Sequence, residues 1–162
     1  MKFSALLAAV APLTVLAAPV AVETESIWAL AARQAGQVNA PGDAKFCNKV
    51  DPAPSEEEIK ARHDKFVDAF LVKKDVKLAF TYIAPEYINH NPMAQNGAQW
   101  ALNLLGGIWG GQNIRVRRTM YRDGMSYLNY DGSYGSNIID RYRWEGGCIV
   151  EHWDAGEKWP AN

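Results

Sequence analysis

The 162-residue sequence has only two cysteines and no excess of charge of either sign, with 17 Lys and Arg against 18 Asp and Glu. Two cysteines cannot build a disulfide-dense scaffold or a four-cysteine zinc site. A formal net charge of −1 supplies no field to gather phosphates, which excludes a dedicated nucleic-acid binder. The chain also lacks an Asn-X-Ser/Thr sequon, a glycine-rich phosphate cradle after a strand, and a G-x-S-x-G nucleophile elbow. N-glycosylation, nucleotide-dependent chemistry and serine-hydrolase chemistry are therefore without support. What is present is a composition that is 48% hydrophobic and 22% charged, enough apolar material to bury a core.

The longest apolar stretch, Phe3 to Ala18, follows Lys2 and ends before Pro19 and the acidic Glu23 and Glu25. A basic start, a short apolar middle and small residues near its end predict a secretory signal peptide over residues 1–17, with the mature protein extracellular and free of the membrane. Pro12 and the shortness of the stretch disfavour a membrane anchor. In an oxidising compartment Cys47 and Cys148 pair most simply with each other; a disulfide between chains and two free thiols are the competing readings.

Residues 18–54 hold Pro19, Pro41, Pro52 and Pro54 with few periodic apolar positions, and read as an arm fastened at Cys47. The domain is expected over residues 55–155, with a tail at 156–162. Ser55 followed by Glu56-Glu57-Glu58 is a capping box, and Ile59, His63, Phe66, Val67, Phe70 and Leu71 give a helix running to about Lys74. Asp75 caps a short second helix that stops before Pro85, and Gln95 to Trp109 form a third. From Asn113 the period becomes alternating. Asp123-Gly124 and Gly146-Gly147 mark two tight hairpins, with Gly132-Ser133-Tyr134-Gly135 between them. Helices followed by antiparallel strands predict an α+β domain with helices on one face of a strongly curved sheet.

With Gly146 and Gly147 as turn residues, Trp144 faces Ile149, Tyr142 faces Glu151 and Asp140 faces Trp153, all on one largely aromatic face. That face is expected to be concave and to carry two carboxylates. Asp140 and Glu151 are therefore candidate acid/base groups, against the alternative that each only holds the core through a tyrosine, tryptophan or arginine partner. His90, in the loop Asn89-His90-Asn91-Pro92, is a candidate proton carrier at the cavity rim or a turn contact. His63 reads as a core histidine. His152 is expected on the convex face in an ion-pair ladder with Arg141 and Asp154, and Cys148 shares that face. Histidines 63, 90 and 152 make no metal-binding spacing, and Glu151 and His152 point to opposite faces, so neither a metal nor a cofactor is expected. The six arginines at 115, 117, 118, 122, 141 and 143 read as a solvated or dimerising surface.

The run Tyr87-Ile88-Asn89-His90-Asn91-Pro92, the following Gly97, and the stretch from Ile139 to Asp154 with its Glu151-His152-Trp153-Asp154 end resemble the SnoaL-like polyketide cyclase family over residues 55–154. The resemblance implies a cone-shaped α+β barrel of the nuclear transport factor two kind, enclosing an apolar pocket and dimerising through its convex side. It implies a bound hydrophobic small molecule and cofactor-independent cyclisation or isomerisation by an aspartate; Asp140 is the residue expected to act as acid/base, with His90 assisting and Glu151 a further catalytic candidate. Trp100, Tyr142, Trp144, Trp153 and Asn91 are the expected ligand contacts. Gly146-Gly147 stands where the family usually has Asp-Gly, a change harmless to the turn, and the leader and arm are unusual for it. The alternative is a non-catalytic secreted binding or interaction module on the same fold.

Overall fold

The computed structural model describes residues 45–161; the expected leader and most of the arm lie outside them. Helix α1 spans Glu56–Val67, and its capping box is closed: the Ser55 N–H donates to Glu58 Oε2 at 2.8 Å while the Glu58 N–H donates to Ser55 Oγ at 3.3 Å. The chain continues as a wider π-helical turn, Asp68–Val72, and leaves it through Lys74 in the left-handed region, φ 55°. Asp75 then caps α2, Val76–Phe80, by accepting the Leu78 N–H at 3.0 Å. Helix α3 is shorter than its apolar pattern, Ala98–Gly106, because Gly97 at φ 98° starts it and Gly106-Gly107 ends it. A single 3-10 turn follows at Trp109–Gly111.

Five strands form one mostly antiparallel sheet: β1 Ile83–Asn89, β2 Arg115–Arg122, β3 Met125–Gly132, β4 Gly135–Glu145 and β5 Cys148–Trp153, in the order β1-β5-β4-β3-β2. Strand β1 is absent from the sequence reading. It lies at the sheet edge, parallel to β5, where Pro85 can sit without breaking a central ladder. Both hairpin turns are as expected, with Asp123 and Gly124 at φ 51° and 73°, and Gly146 and Gly147 at φ 54° and 81°. The helices cover the concave face, and Phe66 meets Tyr142 and Trp144 edge to face beneath them. Among the described residues no helix is long and apolar enough to cross a membrane.

The strand pairing corrects one expectation with large consequences. Glu145 faces Cys148 and Trp144 faces Ile149 as predicted, but Arg143 then faces Glu151, Tyr142 faces His152 and Arg141 faces Trp153. Val150 is an extra residue, a β-bulge. Because side chains alternate, one insertion exchanges the faces of everything after it.

The arm segment binds this end of the sheet. A disulfide joins Cys47 to Cys148, whose Cα atoms are 5.7 Å apart. The Cys47 N–H donates to the Ile83 carbonyl at 2.9 Å, the Val50 N–H to the Gly146 carbonyl at 3.0 Å, and Lys49 reaches Glu86 and Glu145. Gly146 and Gly147 are therefore more than turn residues. A Cβ on Gly146 would stand 2.9 Å from Lys49 Cβ, and one on Gly147 would stand 3.0 Å from Pro54 Cγ. The tail lies against the outer sheet face, with Trp159 over Arg118 at 4.0 Å and Glu157 on Arg141 at 2.9 Å.

Replacing Cys47 and Cys148 together by Ala should lower the unfolding free energy by about 2–4 kcal/mol in urea titrations, since the bridge spans 101 positions. Gly146→Asn should cost about 1–3 kcal/mol by overpacking the arm. Asp123→Asn, at the equivalent position of the other hairpin, should stay within about 0.5 kcal/mol.

Candidate functional site

Between the helices and the sheet lies a cavity of about 550 Å³, a size suited to a small organic ligand. Its deep wall is apolar, formed among others by Phe66, Phe70, Leu105, Ile108 and Trp109. The Trp109 indole is fixed there by donating to the Phe70 carbonyl at 2.6 Å and stacking on the Phe70 ring. The polar groups gather on β4, β5, the end of β1 and the loops beyond.

Asp140 projects inward from β4 and is 4% exposed. Its Oδ2 accepts the Tyr130 hydroxyl at 2.9 Å and the Tyr142 hydroxyl at 3.3 Å. Burial, reinforced by the Asp140 charge, pushes both tyrosines well above the ordinary phenol value, so they stay protonated donors. The other carboxylate oxygen, Oδ1, lies 3.5 Å from Nε2 of His152. The His152 ring stacks on Tyr142 at 4.6 Å, and its Nδ1 faces Asn89 Oδ1 at 3.4 Å. Asn91, just past β1, donates through Nδ2 to Asp154 Oδ2 at 2.8 Å. Among the described residues no Lys or Arg lines the cavity, whereas Asp140, Asp154 and Glu157 do.

Of the residues singled out from sequence, Asp140, Tyr142 and Asn91 line this cavity. The bulge turns Glu151 and Trp153 to the outer face. There Glu151 holds Arg143 and His90, the latter at 2.8 Å, and the His90 hydrogen bond keeps its carboxyl below the usual range. His90 therefore does not reach the rim; its ring stacks on Trp153 at 4.4 Å, and Arg141 covers the same indole at 4.2 Å. Trp100 packs, partly buried, against the core, and Trp144 is buried behind the cavity wall; neither lines it. His152, expected on the convex face, occupies the place imagined for His90. Asp154 joins it. The signal that could have found His152 is its place one residue past Glu151, with the opposite facing to any pocket assignment for Glu151.

No family model matches the chain, and no curated protein matches it. Among solved structures it is similar to an NTF2-like protein of unknown function from Burkholderia xenovorans, at 16% identity and a TM-score of 0.52 over 66% of this chain and 89% of that one. A second NTF2-like protein of unknown function, from Mesorhizobium loti, is 20% identical with a TM-score of 0.51 over 67% and 96% of the two chains. A candidate ketosteroid isomerase from Kribbella flavida is 15% identical with a TM-score of 0.50 over 65% and 84%. The chain thus shares the cone-shaped α+β fold of these NTF2-like structures.

A second histidine cluster lies outside the cavity. The Trp144 indole donates to Ser126 Oγ at 2.6 Å, and that hydroxyl meets His63 Nδ1 at 2.7 Å. Ser126 and His63 are 0% and 2% exposed, so this Ser–His pair has no access to a substrate and serves the core. Burial lowers the His63 pKa from 6.5 to about 4. The folded state therefore favours the neutral ring, and the unfolded chain binds the extra proton between these values. Stability should fall as pH drops from 6.5 to 4, by roughly 3 kcal/mol in total from this group. Urea midpoints measured against pH should show this component, and His63→Gln should remove it.

Proposed function

We propose that the chain binds a largely apolar small molecule inside the cone and moves a proton on it, as cyclases and isomerases do, with Asp140 as the acid and base. The observation that supports this is the placement of Asp140: a buried carboxylate at the polar end of an apolar cavity, held by two tyrosine hydroxyls on Oδ2 and facing His152 through Oδ1. Asn89 Oδ1 can only accept, and it also takes the Asn91 N–H at 3.0 Å. His152 Nδ1 is accordingly the donor, and Nε2 presents a lone pair toward Asp140. A proton taken up at Nε2 would face Asp140 Oδ1. A carboxylate that exchanges that proton with a C–H or O–H of the ligand, with His152 as its proton store, needs no cofactor for the step. His152 thus takes the assisting part first expected of His90.

The cavity also limits the ligand. With acidic side chains and no cationic one among the described residues of its lining, it disfavours an anionic molecule, while Asn91 and the tyrosines suit hydroxyl and carbonyl oxygens. The leader expected over residues 1–17 and the Cys47–Cys148 bridge support placing this activity outside the cell.

The test starts with the molecule that co-purifies when the protein is incubated with an extract of its own culture medium, identified by mass spectrometry. Incubated with that molecule in D2O, the wild-type protein should accelerate deuterium entry at a carbon beside a carbonyl. Asp140→Asn should bind it with similar affinity and lose about a hundredfold or more of the exchange rate. His90→Ala should leave exchange unchanged. Equal rates for wild type and Asp140→Asn would overturn the reading.

A further inference from the structure

His152 Nε2 is buried, belongs to a residue only 4% exposed, and has no hydrogen-bond partner among the described residues. It is aimed at Asp140 Oδ1, 3.5 Å away, while Nδ1 faces Asn89 Oδ1 at 3.4 Å, so with the ring proton on Nδ1 two lone pairs face each other between residues that are each 4% exposed. Positive charge has to stand between them. The separation is long for a shared proton, whose heavy atoms close to about 2.7–2.9 Å in a charge-assisted hydrogen bond. It is the spacing of two ligands on one metal: bonds of about 2.0–2.2 Å at a tetrahedral angle put the ligand atoms roughly 3.4 Å apart.

We propose that Asp140, His152 and Asp154 bind one divalent transition-metal cation at the floor of the cone. Ligand atoms of the three side chains all lie within 4.8 Å of one another, so rotation of Asp154, half-buried where β5 has ended, closes the set. Two of the ligands are already oriented from behind. Tyr130 and Tyr142 hold Asp140 Oδ2 and Asn89 faces His152 Nδ1, the outer shell that metal-ligating imidazoles and carboxylates carry, whereas Asp154 gives up its Asn91 hydrogen bond on rotating. One imidazole with two carboxylates suits Zn2+, Co2+, Mn2+ or Fe2+ over Mg2+ and Ca2+, which prefer all-oxygen sets. Three protein ligands leave a coordination position toward the cavity, where a hydroxyl or carbonyl oxygen of an otherwise apolar molecule would bind. The inference goes beyond the proton-transfer reading and competes with it for the same lone pair.

The experiment titrates metal-free, disulfide-intact protein with ZnCl2 or CoCl2 alone, by calorimetry. The expected result is saturation at one equivalent, with Mg2+ at least about a hundredfold weaker. Asp154→Asn and His152→Ala should each weaken Co2+ binding by about a hundredfold, and His90→Ala, which changes an exposed histidine, should not. Paramagnetic broadening by Co2+ in the NMR spectrum of the wild type provides a readout independent of how the variants fold. It should centre on the His152 ring and spare His63 and His90. Absence of saturable binding, broadening centred on His90, or variants that bind as tightly as wild type would overturn the proposal. Protein that binds Co2+ at His152 yet exchanges no C–H proton would overturn only the proton-transfer reading, and protein that exchanges protons without binding metal would overturn only this one.

Discussion

Val150 has no partner across β4, and the geometry of the site hangs on that one residue. A strand presents alternate residues to opposite faces, so an unpaired residue inverts the facing of all that follow it. Before the bulge, Ile149 points into the core beside Trp144; after it, His152 points inward beside Tyr142, and Glu151 and Trp153 turn out. The parallel pairing of Asn89 with His152 then brings the polar end of β1 to the same place, so the cavity receives an imidazole and two asparagines where simple alternation would supply a glutamate and an indole. The displaced residues do not go unpaired. Glu151 finds Arg143 and His90, and Trp153 lies between His90 and Arg141, a ladder that makes the outward facing comfortable.

A bulge of this kind leaves an apolar side chain outside the concave core, and the arm covers it. Cys47, Ala84, Cys148 and Val150 form a small second cluster, separate from the main core. The disulfide therefore does more than close a long loop. It holds the arm across the point where β5 changes facing, with Arg62 donating to the Gly147 carbonyl at 2.6 Å from the helix side. This also explains why glycine occupies both turn positions at 146 and 147, where the hairpin alone would accept Asp-Gly: the arm takes the space a Cβ would need.

What was legible in the sequence is what local chemistry decides. The Ser55 capping box, the Asp75 cap, the two glycine-bearing hairpins and the inward set Asp140, Tyr142 and Trp144 on β4 all follow from residues near one another in the chain. The bulge was not legible because Cys148, Ile149 and Val150 are all apolar; a run without alternation conceals which of its members is extra. Strand β1 was hidden by Pro85, which argues against a central strand and is tolerated here only because β1 is an edge. The true polar floor was missed for the same reason as β5: its histidine was identified, and its facing was reversed.

The electrostatics of the floor follow from what the lining lacks. A buried carboxylate is normally stabilised by a cation, yet the described residues that line the cavity around Asp140 include no lysine or arginine. Two tyrosine hydroxyls and the edge of an imidazole do the work instead, and they satisfy only one of its oxygens fully. Oδ1 is left opposite the His152 lone pair, close to Asp154, in a place where negative charge outweighs positive. Such a site has a standing affinity for one positive charge, whether it arrives as a proton to be exchanged with a ligand or as a cation that draws a ligand oxygen to itself. The apolar wall opposite decides what else enters: a neutral molecule with one polar end, oriented with that end toward β5.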